Sequence, residues 1–361
     1  MITKPTLILD QQKCRANIRK MVLKAEMHGL KLRPHFKTHQ SLAVGRWFKE
    51  EGIQGITVSS LGMAQYFSEE WSDITVAFPV NIREINTINT LAKRINLNLL
   101  VESLESIRFL DKHLTGNISV FIKLNLGNDR TGLDPKNLDL IEKLTETIDA
   151  SSKLKFSGFL GHAGQTYKCR SEKEIKEVHS LAKAALVDVT EALRSRFPDI
   201  ISSYGDTPSC SVCDDFEGVD EIRPGNFVFY DLMQVQIGAC ESNDIAVALA
   251  CPVVSIHHDR KEVVIYGGGI HLSKDRLTEN GADLFGKLAE PIGSGWGDLI
   301  PGCHIKSLSQ EHGVVSVSTK MLKDLKVGEL VYVLPVHSCM TANLMKAYLT
   351  DGGDIITMFN P

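Results

Sequence analysis

One short stretch of the chain contains residues that could perform covalent chemistry: residues 31–39, KLRPHFKTH. It predicts a β-strand that ends in a basic turn, with Lys37 near the carboxyl end of the strand. Arg33, His35 and His39 flank Lys37, and a crowded cationic neighbourhood favours the neutral, nucleophilic form of a lysine. Such an amine can form a covalent bond with a carbonyl group. The alternative interpretation is a solvated basic loop, because lysine side chains are exposed by default.

The elements around this stretch predict an α/β fold. Short apolar segments alternate with segments of helical spacing, and several of these segments are apolar throughout, as parallel strands buried on both faces must be. Eight strands separated mostly by helices indicate a (β/α)8 TIM barrel, whose site forms at the carboxyl ends of its strands. The predicted strands lie at 32–37, 56–60, 74–79, 97–102, 120–126, 156–161, 200–204 and 221–227.

The pattern changes after about residue 240. From there on the chain reads as strands joined by turns, and helical spacing is scarce. We therefore predict a cofactor-binding barrel at residues 11–240 and a smaller C-terminal β domain at residues 241–361, completed by an N-terminal strand within residues 1–10.

The composition is that of an ordinary globular protein, with 361 residues, 43% of them hydrophobic and 23% charged. A net charge of -4 gives no reason to expect nucleic acid or an anionic membrane as a partner. No apolar run approaches the ~20 residues that span a bilayer, and no signal segment is visible at the N-terminus, so we expect a cytoplasmic location. The eight cysteines are scattered, and we interpret the Cys210–Cys213 pair as incidental, with redox or metal chemistry as the alternative.

Further motifs follow the later predicted strands. GDTPS at 205–209 and RPGN at 223–226 lie at strands seven and eight, where barrels often bind phosphate. LNLGNDRTG would place Arg130 at the mouth of the barrel, and HAGQTY would place His162 there. Each glycine-containing turn, taken alone, could be a surface turn, and a purely structural histidine is the alternative for His162.

Together these motifs resemble the fold-type III pyridoxal 5'-phosphate (PLP) enzymes, the alanine racemase-like barrels. More narrowly, they resemble the D-threonine aldolase and D-serine dehydratase family. The resemblance spans nearly the whole chain in the expected order. One departure is Met63, which stands after strand two where the family commonly has an acidic residue. The matching stretches are RPHFKTH, LNLGNDRTG, GHAGQTY, GDTPS, EIRPGNFVFYD and PVHSC.

The resemblance implies a role for each motif. Lys37 would hold PLP covalently and would be the catalytic residue. Arg130 would face the phenolic oxygen of the cofactor, and Tyr167 would meet its pyridine nitrogen. The other cofactor-binding residues that it implies are His162, Gln165, Gly205, Thr207, Gly225, Asn226 and Tyr230.

The C-terminal stretch PVHSC suggests a metal site. In an extended segment, residues two apart project to the same side, so His337 and Cys339 could bind one ion, with water or substrate as further ligands. An imidazole and a thiolate favour Zn²⁺, and another divalent cation remains open. The alternative is a buried free cysteine beside a polar histidine. The resemblance favours the metal pair, which would act as a Lewis acid on a β-hydroxyl group.

These roles imply a PLP- and metal-dependent lyase that acts on a small β-hydroxy D-amino acid, of the D-serine dehydratase or D-threonine aldolase type. The cysteine in the metal pair slightly favours the dehydratase branch. One alternative is an amino-acid racemase, with Tyr332 or Tyr348 as a second base. Another is a non-catalytic PLP carrier, against which a β domain of ~120 residues argues. The resemblance also implies a homodimer.

Overall fold

The computed structural model describes residues 1–360, which divide into two compact units. The barrel unit comprises residues 19–37 and 45–225, and the β unit comprises Met1–Ile18, Thr38–Val44 and Asn226–Asn360. Across these described residues, no helix is both long and apolar enough to cross a membrane.

The barrel unit contains eight parallel strands in one sheet. The chain just after the strand Lys31–Leu32 bonds to the strand Ile56–Val58: Phe36 N–H donates to Thr57 O at 2.8 Å, and Thr57 N–H donates to Pro34 O at 2.9 Å. These bonds join the two edge strands of the sheet. The circle is closed, so the predicted (β/α)8 barrel is confirmed. Numbered along the whole chain, its strands are β2 (Lys31–Leu32), β3 (Ile56–Val58), β4 (Asp73–Pro79), β5 (Asn96–Val101), β6 (Ile118–Leu124), β7 (Leu154–Gly161), β8 (Ile201–Tyr204) and β9 (Glu221–Ile222).

Helices alternate with these strands, and serine side chains fix where several of them begin. Ser60, Ser103 and Ser171 each accept a hydrogen bond from the backbone N–H three residues later, which satisfies a helix-end donor. The helices, in chain order, are α1 (Gln11–Met27), α2 (Leu42–Glu50), α3 (Leu61–Phe67), α4 (Ile85–Ala92), α5 (Leu104–His113), α6 (Leu138–Asp149), α7 (Glu172–Arg194) and α8 (Thr207–Val212).

Arg33 has a structural role in the barrel unit. Its Nε lies 2.7 Å from Glu221 Oε2, its Nη2 lies 2.7 Å from Asp73 Oδ2, and only 4% of the residue is exposed. His39 is also buried, and burial lowers its pKa to about 3, so its ring is neutral at pH 7. Since Arg33 is paired with two carboxylates and His39 is neutral, neither residue supports the predicted cationic neighbourhood of Lys37, which stays a prediction.

The β unit is built on a nine-stranded sheet. Six of its strands form an antiparallel ring, because the strand Val247–His257 pairs with both Glu262–Tyr266 and Leu330–Pro335. The N-terminal strand lies antiparallel to Val247–His257 and parallel to Ala347–Thr350. The predicted C-terminal β domain is confirmed. Its strands are β1 (Thr6–Leu9), β10 (Val247–His257), β11 (Glu262–Tyr266), the hairpin strands β12 (Leu277–Glu279) and β13 (Ala282–Leu284), β14 (Gly286–Ile292), β15 (Gly295–Leu308), β16 (His312–Ser316), β17 (Leu330–Pro335), β18 (Ala347–Thr350) and β19 (Ile355–Thr357).

Helices are more frequent in the β unit than the sequence pattern predicted. The strand β17 ends at Pro335, and a helix begins at Ser338, directly after His337. The prediction that residues 337–339 are all extended is therefore wrong, since Cys339 lies in the first turn of a helix. The helices of this region are α9 (Leu232–Ile237), α10 (Gly269–Leu272), α11 (Thr319–Asp324) and α12 (Ser338–Met345).

Candidate active site

Two turns at the carboxyl ends of β8 and β9 lie against each other in the barrel unit. Gly225 N–H donates to Thr207 Oγ1 at 3.3 Å. A Cβ atom added to Gly205 would lie 3.1 Å from both Cβ and the carbonyl oxygen of Arg223, so only glycine fits this approach without displacement. Three residues predicted to bind the cofactor phosphate, Gly205, Thr207 and Gly225, are thus brought together with backbone N–H groups and a hydroxyl.

Asp206 shapes this turn, and the sequence reasoning did not assign it a role. Its carboxylate accepts hydrogen bonds from Ser209 N–H at 2.7 Å and Thr166 Oγ1 at 3.0 Å. Burial raises its pKa to about 6. An aspartate followed by a proline near the first helical turn is a helix-start signal, so the sequence did carry the information that α8 begins here.

The predicted residues 162–167 reach the same turns. His162 Nδ1 donates to Gly205 O at 2.6 Å, because a carbonyl oxygen can only accept. The Tyr167 hydroxyl accepts a hydrogen bond from Thr207 N–H at 3.4 Å. Gln165 Nε2 donates to Leu126 O at 2.6 Å. The structure therefore places His162 and Tyr167 beside the two glycine turns, whereas contact of Tyr167 with a pyridine nitrogen stays a prediction.

The loop that carries Arg130 is folded around an asparagine side chain. Asn125 Oδ1 accepts hydrogen bonds from Gly127 N–H and Asp129 N–H, both at 3.1 Å. At the far end of the loop, Gly132 N–H donates to Glu102 Oε2 at 2.7 Å. Arg130 itself is exposed, so its guanidinium group is available to a ligand from a loop whose backbone is held at both ends.

Lys123 on β6 is a buried amine that the sequence reasoning did not single out. It is 6% exposed, and its Nζ donates to Leu124 O at 2.7 Å. Burial, together with the positive charges of Arg223 and Arg130, lowers its pKa to about 7. Its signal in the sequence was a lone charge within the apolar run of residues 118–124.

The barrel unit thus concentrates positive charge around one histidine. Burial lowers the pKa of His162 to about 3, and the charges of Lys37, Lys123 and Arg130 contribute to this lowering. Neutral histidine cannot offset these cations, so the region favours an anion. The phosphate and phenolate groups of PLP are anions of this kind, and the residues present therefore fit that cofactor.

In the β unit, the side chains of His337 and Cys339 meet although the segment is not extended. The imidazole lies beside the Cys339 sulfur, and its Nδ1 donates to Asp275 Oδ2 at 2.9 Å. Burial opposes protonation of the ring, but Asp275 and Cys339 outweigh it and raise the pKa of His337 to about 11. The pair therefore favours a positive charge at the position of the imidazole.

Cys339 has two further polar neighbours. Its Sγ lies 3.2 Å from Thr38 Oγ1 and accepts a hydrogen bond from Asn226 Nδ2 at 3.5 Å. Asn226 Nδ2 also donates to Asp231 Oδ2 at 2.7 Å and to Ser338 Oγ at 3.0 Å. The side-chain amide nitrogen of Asn226 is thus directed at the start of α12, and a role of Asn226 in phosphate binding stays a prediction.

Tyr230 lies in the β unit, close in sequence to Asn226. It is 3% exposed and has a left-handed backbone, with φ at 49°. A bulky residue rarely adopts this conformation, and such strain persists where the surrounding structure enforces it. Its role as a cofactor contact stays a prediction.

The donor set in the β unit fits a cation of the zinc type. Imidazole nitrogen and thiolate sulfur are preferred ligands of Zn²⁺, and two protein ligands leave positions for water or substrate. Within residues 1–360, no group of three or more histidine, cysteine, aspartate or glutamate side chains is arranged to hold a metal ion. A metal at this place would therefore be held by a pair of ligands.

Comparison with known proteins identifies the family. Residues 9–232 match the family "Alanine racemase, N-terminal domain", and residues 246–350 match the "Putative serine dehydratase domain". D-serine dehydratase of Dictyostelium discoideum is 30% identical, over 98% of this chain and 95% of the relative. The chain belongs to the D-serine dehydratase family of alanine racemase-like proteins. The predicted resemblance is confirmed.

Two further comparisons concern one kind of relative. D-threo-3-hydroxyaspartate dehydratase of Delftia sp. (strain HT23) is 27% identical to this chain, over 95% of this chain and 93% of the relative. A D-threo-3-hydroxyaspartate dehydratase solved as a cysteine-to-alanine mutant in the metal-free form has a TM-score of 0.92 and 25% identity, covering 100% of this chain and 98% of the other. Members of the family are thus named as dehydratases, which are lyases.

Proposed function

We propose that this chain is a PLP-dependent lyase that acts on a β-hydroxy D-amino acid, with a divalent cation held by His337 and Cys339. The observation that carries the proposal is the contact between these two side chains, because an alanine racemase needs no such pair. Family membership and the names of the relatives support the same reaction class.

In the barrel unit, the residues would bind and orient the cofactor. PLP, when bound, supplies an electron sink for the bonds at the α-carbon of an amino acid. Lys37 would hold it covalently, and the Gly205, Thr207 and Gly225 turns would donate hydrogen bonds to its phosphate. Arg130 would face its phenolic oxygen. Once the substrate amine has displaced Lys37, the freed Nζ of Lys37 would take the α-proton.

In the β unit, His337 and Cys339 would hold the cation, which supplies Lewis-acid stabilisation for a departing β-hydroxyl oxygen. Within the β unit, the side chains of Thr38 and Asn226 contact Cys339 and would help to orient its sulfur.

We favour the dehydratase branch, in which the α-proton and the β-hydroxyl group leave as water. The enamine product would then tautomerise to an imine, which water hydrolyses to a keto acid and ammonia. Zn²⁺ is the proposed cation, because Cys339 is a soft ligand. The aldolase branch, which would yield glycine and an aldehyde, is the alternative outcome of the same experiment. A homodimer in the cytoplasm completes the proposal, and the dimer can be checked by size-exclusion chromatography with light scattering.

The test is a product assay on the PLP-loaded protein with D-serine, D-threonine and 3-hydroxy-D-aspartate. We expect a yellow protein that releases keto acid from at least one of them, with the colour lost in Lys37→Ala. EDTA and Cys339→Ala should abolish keto acid release. Cys240→Ala is the matched control, because Cys240 is a cysteine that is half-buried like Cys339.

Three results would contradict the proposal. If the protein stays colourless after incubation with PLP, the proposed cofactor is wrong. If keto acid release survives both EDTA and Cys339→Ala, the proposed role of the metal is wrong. Formation of the L-amino acid in place of keto acid or glycine would favour a racemase. The tyrosines available for that reaction are poorly suited, since Tyr332 is 6% exposed and the Tyr348 hydroxyl already donates to His39 O at 2.8 Å.

A further inference from the structure

Asp275 stands beside the His337–Cys339 pair. Its Oδ2 lies 2.9 Å from His337 Nδ1, 62 positions away in the sequence. A carboxylate has only acceptor atoms, so Nδ1 must carry the hydrogen in this contact. The other ring nitrogen, Nε2, is then the one that can bind a cation, after it has given up the proton that it carries in the imidazolium form.

The carboxylate of Asp275 is held in place by its own surroundings. Ser273 Oγ donates to Asp275 Oδ2 at 3.2 Å and accepts a hydrogen bond from Asp275 N–H at 3.1 Å. Ser273 directly follows α10, and its backbone is left-handed, with φ at 68°. This local conformation directs the carboxylate instead of leaving it on a mobile side chain.

A second contact fixes the segment that carries Asp275 relative to the helix that carries Cys339. Thr341 Oγ1, on α12, donates to Leu272 O at the end of α10 at 3.2 Å. Thr341 and Leu272 are both buried, with 0% and 1% exposure. The hydrogen bond between Asp275 and His337 is therefore supported by a packed pair of helices.

We infer that Asp275 is a positioning residue for the cation: it fixes the ring orientation and tautomer of His337, so that Nε2 is the nitrogen that binds the metal together with the sulfur of Cys339. This inference rests on the proposed metal site. A carboxylate that accepts from the other nitrogen of a metal-binding histidine orients the ring and makes it a stronger ligand, and its loss typically costs about 10–100-fold in metal affinity.

The test measures Zn²⁺ affinity by competition with a chromogenic chelator on the PLP-loaded protein. Asp275→Ala should weaken Zn²⁺ binding by about 10-fold or more. Asp275→Asn should weaken it less, because its amide oxygen can still accept from Nδ1 but carries no charge. The matched control is Asp283→Ala, since the Asp283 and Asp275 side chains have 39% and 40% exposure and Asp283 also bonds a neighbouring hydroxyl.

A spectrum separates positioning from general damage. With Co²⁺ in place of Zn²⁺, Asp275→Ala should shift the ligand-field bands because the imidazole is no longer fixed, while the sulfur-to-cobalt charge-transfer band remains. Ser273→Ala, which removes a hydrogen bond to Asp275 but keeps the carboxylate, should weaken Zn²⁺ binding less than Asp275→Ala does. If Asp275→Ala does not fold, Asp275→Asn and Ser273→Ala decide the question through the same two readouts.

The inference and the proposed function fail in different ways. If Cys339→Ala and His337→Ala leave the Zn²⁺ affinity unchanged, the metal site itself is wrong. If those two variants lose the metal while the Asp275 variants bind it within twofold of the parent, with an unchanged cobalt spectrum, only the role of Asp275 is overturned.

Discussion

Replacing the buried Lys123 by methionine should change how the stability of the protein depends on pH. The pKa of Lys123 is lowered to about 7 by burial and by Arg223 and Arg130, from an ordinary value of 10.5. Between these two values the unfolded chain binds one proton that the folded chain does not. The free energy of unfolding therefore rises with pH across this window, and at pH 7 and below the protein carries the full cost of burying the charge.

The size of the effect follows from the width of the window. Each pH unit contributes about 1.4 kcal/mol for one proton, so between pH 7 and pH 9.5 the parent should gain about 3 kcal/mol from Lys123. Methionine is similar in length, fills irregular space and has no proton to lose. Relative to the parent, the Lys123→Met variant should therefore be most stable at pH 7. By pH 9.5 its free energy of unfolding should have fallen by about 3 kcal/mol relative to that of the parent.

The assay is urea unfolding of parent and variant at several pH values from 7 to 9.5, followed by circular dichroism. Lys143→Met is the matched control, because Lys143 lies on α6 with an exposed side chain; its difference from the parent should not depend on pH. If the difference between Lys123→Met and the parent stays constant within about 0.5 kcal/mol over this range, the buried amine is not neutral and the reasoning is refuted.

Two more predictions concern the barrel unit. Gly132→Ala should destabilise the Arg130 loop by about 2–4 kcal/mol and weaken PLP binding in an absorbance titration, because φ is +104° and the new Cβ would lie 2.5 Å from the carbonyl carbon of Leu124. Arg33→Met should cost about 3–5 kcal/mol in urea unfolding, since it removes the close ion pair of Glu221, which is 1% exposed and keeps Ser203 and the more distant Lys31 as neighbours. Arg46→Met is its control: the Arg46 side chain is 61% exposed, and its ion pair should be worth less than about 1 kcal/mol.

The strands of the barrel could be predicted because parallel strands buried on both faces leave a signal in the sequence, a short and nearly unbroken apolar run. Their ends were less predictable. A strand was expected at 32–37, but β2 ends at Leu32, and the chain beyond it bonds alternately to Pro224 and Thr57. These bonds depend on closure of the barrel, which local sequence does not encode.

The residues of the candidate site also differ in how far the sequence predicted them. Lys37 and the two glycine turns are part of recognisable motifs, so the sequence indicated them directly. Lys123 and Asp275 had no such motif, because what makes them notable is burial in one case and a contact over 62 positions in the other. The contact between His337 and Cys339 was expected from an extended backbone, yet it arises at the start of α12, where strand geometry does not apply.

The two groups of residues have opposite electrostatic character, and this determines what each can bind. In the barrel unit, the charges of Lys37 and Arg130 act on His162, which is itself neutral, so an anion is the ligand that lowers the energy of the region. In the β unit, Asp275 and Cys339 stabilise the positive charge of the protonated His337 ring, and a metal ion bound there would replace one of its ring protons. No side chain has to serve both ligands. One chain can therefore hold an anionic cofactor and a metal ion without competition between them for the same groups.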